Sequence, residues 1–397
     1  MKKIILKAGE GKRVKSGHKW VFSNEIKMLQ NSESEIEKDG QKDSVFALLY
    51  DNNEAFIAKG FYNPHSLIAF RLLSLQDEKI DIEFWKKKIS AANDLRKQIY
   101  PKSKSYRAVF SESDNMPSVI IDKFGDYLSV QFNCAGADAC KEDILSAAKE
   151  IFKSKGIYIR NDSSLRKFEN LPNENAVYFG NIPKEIEIEE NGLKFYIDLL
   201  EGQKTGFFFD QRDNRTKLAS YAKDKKVLDC FCHTGAFGIY AKAAGAKDIV
   251  FVDSSRPALE LAEKNFNANN FKDFNGIEAD ALAYLESAQA QKEKFDIINI
   301  DPPSLIKNKK DFNAGYKLYA KINAAAIALL NNGGILASSS CSHHLSYKDF
   351  NAMLGEAASK AKRTVQILEY GFQAKDHPIL PLMPETQYLN FAIAIAR

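Results

Sequence analysis

The stretch "KVLDCFCHTGAFGIYAKAAGAKDIVFVD" occupies residues 226–253, and its reading decides the fold. "KVLDCF" is a short apolar run interrupted by one acid, with the texture of a buried strand. "GAFGIYAKAAG" is a small-residue helix, and "DIVFVD" is a second strand that ends on a carboxylate. Strand, helix and strand at this spacing predict a parallel βαβ unit.

The same rhythm runs on toward residue 397. "RPALELAEKNFNAN" is a helix, "IEAD" leads into a helix at 281–290, and "FDIINIDPP" is a strand. A long helix is expected over roughly 312–331, a strand at "GGILASSS" and a helix at 346–361, before "TVQILEYG" and "YLNFAIAIAR". The expected class is α/β, with a C-terminal Rossmann-like doubly wound sheet of seven strands.

The N-terminal half has a different texture. Residues 1–70 hold strand-like runs ("KIILKA", "SVFALLY", "AFIAKGFY", "SLIAFRLL") separated by Gly and Asn-Asn signals, which predict a small β-rich domain. An amphipathic helix at 78–100 and further strands around one helix at about 136–155 predict an α+β section. The expected domains are 1–72, 73–188 and 189–397.

Composition narrows the class. Apolar residues make up 45% of the 397, enough for a sizeable core. A net charge of +4 permits an anionic partner without requiring one. No run approaches the ~18 apolar residues of a membrane span. The opening "MKKIILKAGEGKRVKSG" places charges where a signal peptide needs an apolar segment. Five cysteines, an odd number, suggest reduced thiols and a cytoplasmic setting. Cys230 and Cys232 have no second ligand pair, so no metal is expected.

In a doubly wound sheet, ligands bind outside the carboxyl ends of the strands. Those ends carry Asp229 with the following loop through Thr234 and Gly235, Asp253 with Ser254, Asp280, Asp301 with Pro302-Pro303, and Cys341. The loop after the first strand has neither the dinucleotide G-x-G-x-x-G nor a P-loop Lys-Ser/Thr, which argues against a pyrophosphate. Asp253, 24 residues after Asp229, sits where a ribose diol is held. A nucleoside with a positive centre, S-adenosylmethionine, fits strand-end carboxylates best. The two prolines after Asp301 stiffen its loop.

Cys341, in "SSSCSHH" (338–344), ends the strand beside the Asp301 strand. Carbon 5 of a pyrimidine is a poor nucleophile. A thiolate adding to carbon 6 activates it, and cysteine suits that role. A small packing residue is the competing reading of Cys341. Given a methyl-donor site and the Asp301 loop, the nucleophile is favoured. Cys134, Cys140, Cys230 and Cys232 read as packing residues, with Cys230 and Cys232 also lining the cofactor loop. Ser304 and Leu305 follow the prolines, so the stacking aromatic of amino-directed methyltransferases is missing there.

Asp301-Pro-Pro, "SCS" at 340–342, "KTGFFFDQRDNR" at 204–215 and "DHPILPLMPETQYLN" at 376–390 together resemble the RlmI-type bacterial 23S rRNA 5-methylcytosine methyltransferases. "SGHKWVFSNEI" at 16–26 resembles that family's PUA domain, and residues 110–131 resemble its central domain. The resemblance implies S-adenosylmethionine as cofactor, 23S rRNA or its large-subunit precursor as substrate, and a homodimer. It places Phe209 and Gln211 beside the cofactor. It assigns the methionine part to Asp229 and the 230–235 loop, the ribose to Asp253, the adenine amine to Asp280 and the nucleophile role to Cys341. Ser304 stands where other RNA 5-methylcytosine enzymes carry a second cysteine, so either release uses one cysteine or this member's rate or site differs. Lys12, Arg13, Lys15, Lys19 and Trp20 form a basic and aromatic cluster suited to RNA phosphates. Two other readings stand beside this one. The first is an amino-directed (guanine N2 or adenine N6) rRNA methyltransferase. The second is an RNA-binding ribosome assembly factor without catalysis.

Overall fold

Lys226–Cys230 (β1) and Asp248–Asp253 (β2) are strands in the computed structural model of the protein, joined by the helix Ala236–Ala243 (α1). The structure describes residues 1–31, 45–200 and 206–397. The remaining elements around this unit are Arg256–Ala268 (α2), Gly276–Glu278 (β3), Ala281–Ala290 (α3), Phe295–Ile300 (β4), Phe312–Leu329 (α4), Leu330–Ser340 (β5), Tyr347–Lys360 (α5), Val365–Gly371 (β6) and Asn390–Ala396 (β7). They build a seven-stranded sheet in the order β3-β2-β1-β4-β5-β7-β6. β7 runs antiparallel between β5 and β6. The other pairs are parallel.

Close packing fixes the α1 crossover. Gly238 lies so near β2 that an added Cβ would fall 2.2 Å from the Phe251 ring. The apolar core on the other side joins Leu228, Ile298, Ile300 and Leu336 of the sheet to Tyr319 and Ile322 of α4 and to Phe350, Met353 and Leu354 of α5. Complete burial of such side chains is worth about 1.5–3 kcal/mol each.

The described chain forms two compact units. The first contains 1–186, 198–206 and 376–386; the second contains 187–197, 207–375 and 387–397. Residues read as two N-terminal domains share one unit because Phe46, Phe61 and Leu73 pack into the same core as Trp85, Val130 and Ile144. Within that unit, a six-stranded sheet has the spatial order Trp20–Val21, Phe70–Ser74, Phe56–Tyr62, Phe46–Tyr50, Lys2–Leu6, Ile26–Asn31. A five-stranded sheet runs Glu174–Gly180, Gly156–Asn161, Tyr127–Phe132, Val119–Phe124, Ser105–Phe110. The helix expected at 136–155 is broken into Ala135–Ala139 and Lys141–Phe152.

Candidate active site

The carboxyl ends of β1, β2, β4 and β5 meet in the second unit. The β1–α1 loop is unusually constrained: Phe231, His233 and Gly235 have φ of 59°, 48° and 76°. A bulky residue at positive φ is strained and persists only where surrounding contacts hold it. Here the holds are Cys232 N–H donating to the Val252 carbonyl, His233 N–H donating to Asp253 Oδ2 at 2.9 Å, and Gly235 N–H donating to the Cys232 carbonyl. Thr234 is buried, and its carbonyl accepts from Asn265.

Asp229 is buried, accepting from the Asn299 amide at 2.8 Å and from Gly238 N–H at 2.9 Å. Burial pushes its carboxyl up to about 7 against those two donors, with Asp301 and Asp253 adding repulsion. Burial also raises the Cys230 and Cys232 thiols well above their ordinary value, consistent with packing roles. Asp253 is half-buried, and each of its oxygens already accepts one backbone N–H, from His233 and Ser255. That fixes the carboxylate while leaving lone pairs for a diol, since a carboxylate has about four acceptor positions. Ser254 is exposed beside it. Asp280 is exposed and caps α3 through Ala283 N–H at 2.9 Å.

The Asp301 loop and the Cys341 segment are tied together twice. Gln211 donates from Nε2 to Asp301 Oδ1 at 2.9 Å and to Ser339 Oγ at 3.1 Å. Its own carbonyl oxygen accepts from Asn214 at 2.7 Å, and Asn214 also donates to the Phe372 carbonyl. The second tie centres on buried Ser342. Its hydroxyl accepts from Ile306 N–H and contacts Ser304 Oγ at 3.0 Å and Tyr319 OH at 2.9 Å. Ser304 donates to the Ile306 carbonyl, and Leu305 N–H donates to Tyr319 OH. One proton pattern satisfies all of these: Tyr319 to Ser342 to Ser304 to the Ile306 carbonyl. Ser304 therefore helps to fasten the two loops.

Cys341 is half-buried, unlike the other four cysteines, and none of the five forms a disulfide. Burial raises the Tyr319 phenol, with Cys341 a further contribution. His343 packs on Tyr388 with ring centroids 5.5 Å apart. Phe209 is buried against Phe207 and Arg212. Three residues that the sequence reading missed support this region: Asn299, Asn214 and buried Glu190. Glu190 accepts from Arg212 at 2.9 Å, Arg215 at 2.6 Å and the Tyr240 hydroxyl at 2.9 Å.

The donor set fits S-adenosylmethionine. Asp253 and Asp280 present hydroxyl and amine acceptors, the loop lacks a phosphate cradle, and the carboxylates around β1, β2 and β4 favour a positive centre. Among the described residues, no group of His, Cys, Asp and Glu is arranged to hold a metal ion. Residues 165–372 match the family described as S-adenosylmethionine-dependent methyltransferase, and residues 4–75 match the PUA-like domain. The chain belongs to the S-adenosylmethionine-dependent methyltransferase family. Relatives include ribosomal RNA large subunit methyltransferase I of Pseudoalteromonas atlantica, 37% identical over 98% of this chain and 98% of that one. The protein of the same name from Vibrio vulnificus is 36% identical over 98% of this chain and 97% of its own. A candidate S-adenosylmethionine-dependent methyltransferase from Streptococcus mutans shares the fold, with TM-score 0.82 and 22% identity over all of both chains. A structure of a candidate methyltransferase complexed with SAH gives TM-score 0.84 at 22% identity over all of both chains.

In the first unit, the basic cluster is partly closed on itself. Arg13 donates to both Glu25 oxygens at 2.6 and 2.7 Å, and Lys15 pairs with Asp51 at 2.6 Å. Trp20 donates from its indole N–H to Glu112 at 2.9 Å. Lys12 is exposed, and burial lowers the Lys19 ammonium. Of the four basic residues, Lys12 is exposed, while Arg13 and Lys15 are paired with acids and Lys19 is half-buried. Lys204 and Thr205 of the "KTGFFFDQRDNR" motif lie outside the described residues.

Proposed function

We propose that this methyltransferase acts on large-subunit ribosomal RNA and forms 5-methylcytosine through a covalent bond between Cys341 and the base. The observation that carries the reading is the tie between Asp301 and the Cys341 strand end. Ile300 of β4 pairs with Ser338 of β5, and Gln211 bridges Asp301 to Ser339. A thiol and a carboxyl group thus serve one base from adjacent strands. The Cys341 thiolate adds to carbon 6, and the carbon 5–carbon 6 π electrons become available at carbon 5. Asp301, as the acid, donates a hydrogen bond to ring N3 and favours that addition. S-adenosylmethionine, when bound, supplies the electrophilic methyl group. A base then takes the carbon 5 proton, the C–H electron pair restores the double bond, and the cysteine thiolate leaves from carbon 6. The base reaches Cys341 only out of its stack.

The strand-end contacts support Asp229 and the 230–235 loop at the methionine part, Asp253 with Ser254 at the ribose and Asp280 at the adenine. Phe209 and Gln211 flank the same end. Lys12, Arg13, Lys15, Lys19 and Trp20 belong to the RNA-facing part of the reading, with Lys12 the leading contact. The reading also includes a homodimer and a cytoplasmic setting. Among the described residues, no helix is long and apolar enough to cross a membrane.

The test incubates the protein with labelled S-adenosylmethionine and undermodified 23S rRNA, then digests the RNA and identifies the nucleoside. 5-Methylcytosine supports the reading. An amino-methylated purine, or no methyl transfer, overturns it.

A further inference from the structure

One aromatic cluster near this site is packed on one side and open on the other. Tyr347 begins α5, and its ring meets Tyr370 at 4.9 Å and Phe372 at 6.0 Å. Yet Tyr347, Tyr370 and Phe372 remain 38%, 38% and 37% exposed. Aromatic side chains this large dominate cores and interfaces, so three together at the surface form a patch that a partner would cover.

Register places the cluster at the reacting end of the sheet. Gly371 of β6 and Ser339 of β5 both pair with Phe391 of β7, so Phe372 lies level with the end of the strand that presents Cys341. Adjacent strands lie about 4.8 Å apart, which puts the two strand ends roughly 10 Å from one another. Two exposed lysines stand beside the cluster in the chain, Lys348 after Tyr347 and Lys375 three residues past Phe372, among the acids Asp349, Glu369 and Asp213.

We propose that Tyr347, Tyr370 and Phe372 form a stacking platform for unpaired RNA bases next to the base that enters the site. Every base has a π-face, so such a platform holds a single strand without reading its sequence, while the lysines follow the phosphates. A splayed single strand is the substrate form this surface takes, and a continuous duplex, whose bases are already stacked, is not. The inference rests on the reading of the site as an RNA methyltransferase; it does not need the Cys341 adduct.

The test measures binding of two labelled oligomers to the full chain by fluorescence anisotropy: a 12-mer of cytidylate and an abasic 12-mer of equal phosphate count. The wild type should bind the cytidylate oligomer at least about ten-fold more tightly, as stacking on aromatic side chains implies. Tyr347→Leu/Phe372→Leu keeps apolar bulk but removes two π-faces. It should bring cytidylate binding down to the abasic level and leave abasic binding, SAH binding and the melting temperature unchanged. Tyr347→Phe/Phe372→Tyr keeps both faces and should bind as the wild type does. Equal binding of the two oligomers by the wild type, unaltered cytidylate binding by the Leu variant, or equal loss for both oligomers overturns the platform. Methyl transfer to 23S rRNA by the wild type is measured in parallel. Its absence breaks the functional reading, while the binding comparison still decides the platform.

Discussion

Gln211 holds Asp301: its amide donates to Oδ1 at 2.9 Å, and Asn214 fixes which end of that amide is the donor. The carboxyl group central to the proposed chemistry is therefore aimed by a buried neighbour. Gln211→Met, of similar volume, should lower kcat by about ten-fold or more, as loss of a positioning contact does. It should also cost about 1–3 kcal/mol, because Asn214 loses a buried acceptor. Single-turnover kinetics at saturating cofactor, set beside urea unfolding, check both parts.

Asp229 gives stability a pH signature. Its folded carboxyl titrates at about 7, against about 3.9 in an unfolded chain. The folded state thus holds an extra proton between those values. The associated stability is fully present below about pH 4 and is lost as pH rises through 7. Asp229→Asn should flatten the slope, with the wild type losing more stability than the variant between pH 5 and 7.5 in urea melts. The Asn299 amide can turn its oxygen, which has no partner in the structure, toward the new amide. Asp229→Asn should therefore be milder than Asp229→Ala.

Glu190 neutralises Arg212 and Arg215 in a buried cluster. Glu190→Gln removes the carboxylate that the two buried guanidiniums share. The expected cost is about 3–5 kcal/mol, read as a lowered unfolding midpoint. A loss within 0.5 kcal/mol, the range of an ordinary surface change, would contradict this role.

Ser342→Ala removes the hydroxyl that joins Ile306, Ser304 and Tyr319. Methyl transfer should fall about ten-fold while SAH affinity stays within two-fold, since the Cys341 segment would lose its registration with the Asp301 loop. Ser304→Ala, which removes one branch of that knot, should have the smaller effect. Kinetics and calorimetric SAH titration separate the two.

The strand ends were legible because the β/α rhythm of residues 226–340 fixes where each strand stops, and acids stand at those stops. The supports were harder to read. Asn299 had a signal, a polar residue inside the apolar run "FDIINI". Glu190 had none, since "IEIEE" looks like an ordinary half-exposed strand. Tyr319 reads as a core residue on α4, and only the folded chain brings it to Ser342. Charge misled in the other direction. Arg13 and Lys15 look like an open basic run, but their acids, Glu25 and Asp51, lie 12 and 36 residues away and close on them only after folding. The three-domain expectation followed texture, which carries no sign of the core that Phe46, Phe61 and Trp85 share.

The central claim is that Cys341 bonds to the base, and trapping that bond tests it most directly. 23S rRNA transcribed with 5-fluorocytidine carries no removable proton at carbon 5, so the adduct cannot resolve after methyl transfer. Incubation with S-adenosylmethionine should give the wild type a protein–RNA band that survives a denaturing gel, and Cys341→Ala none. The account is contradicted if the wild type methylates ordinary rRNA yet traps nothing on the fluorinated RNA, or if the alanine variant still forms the band.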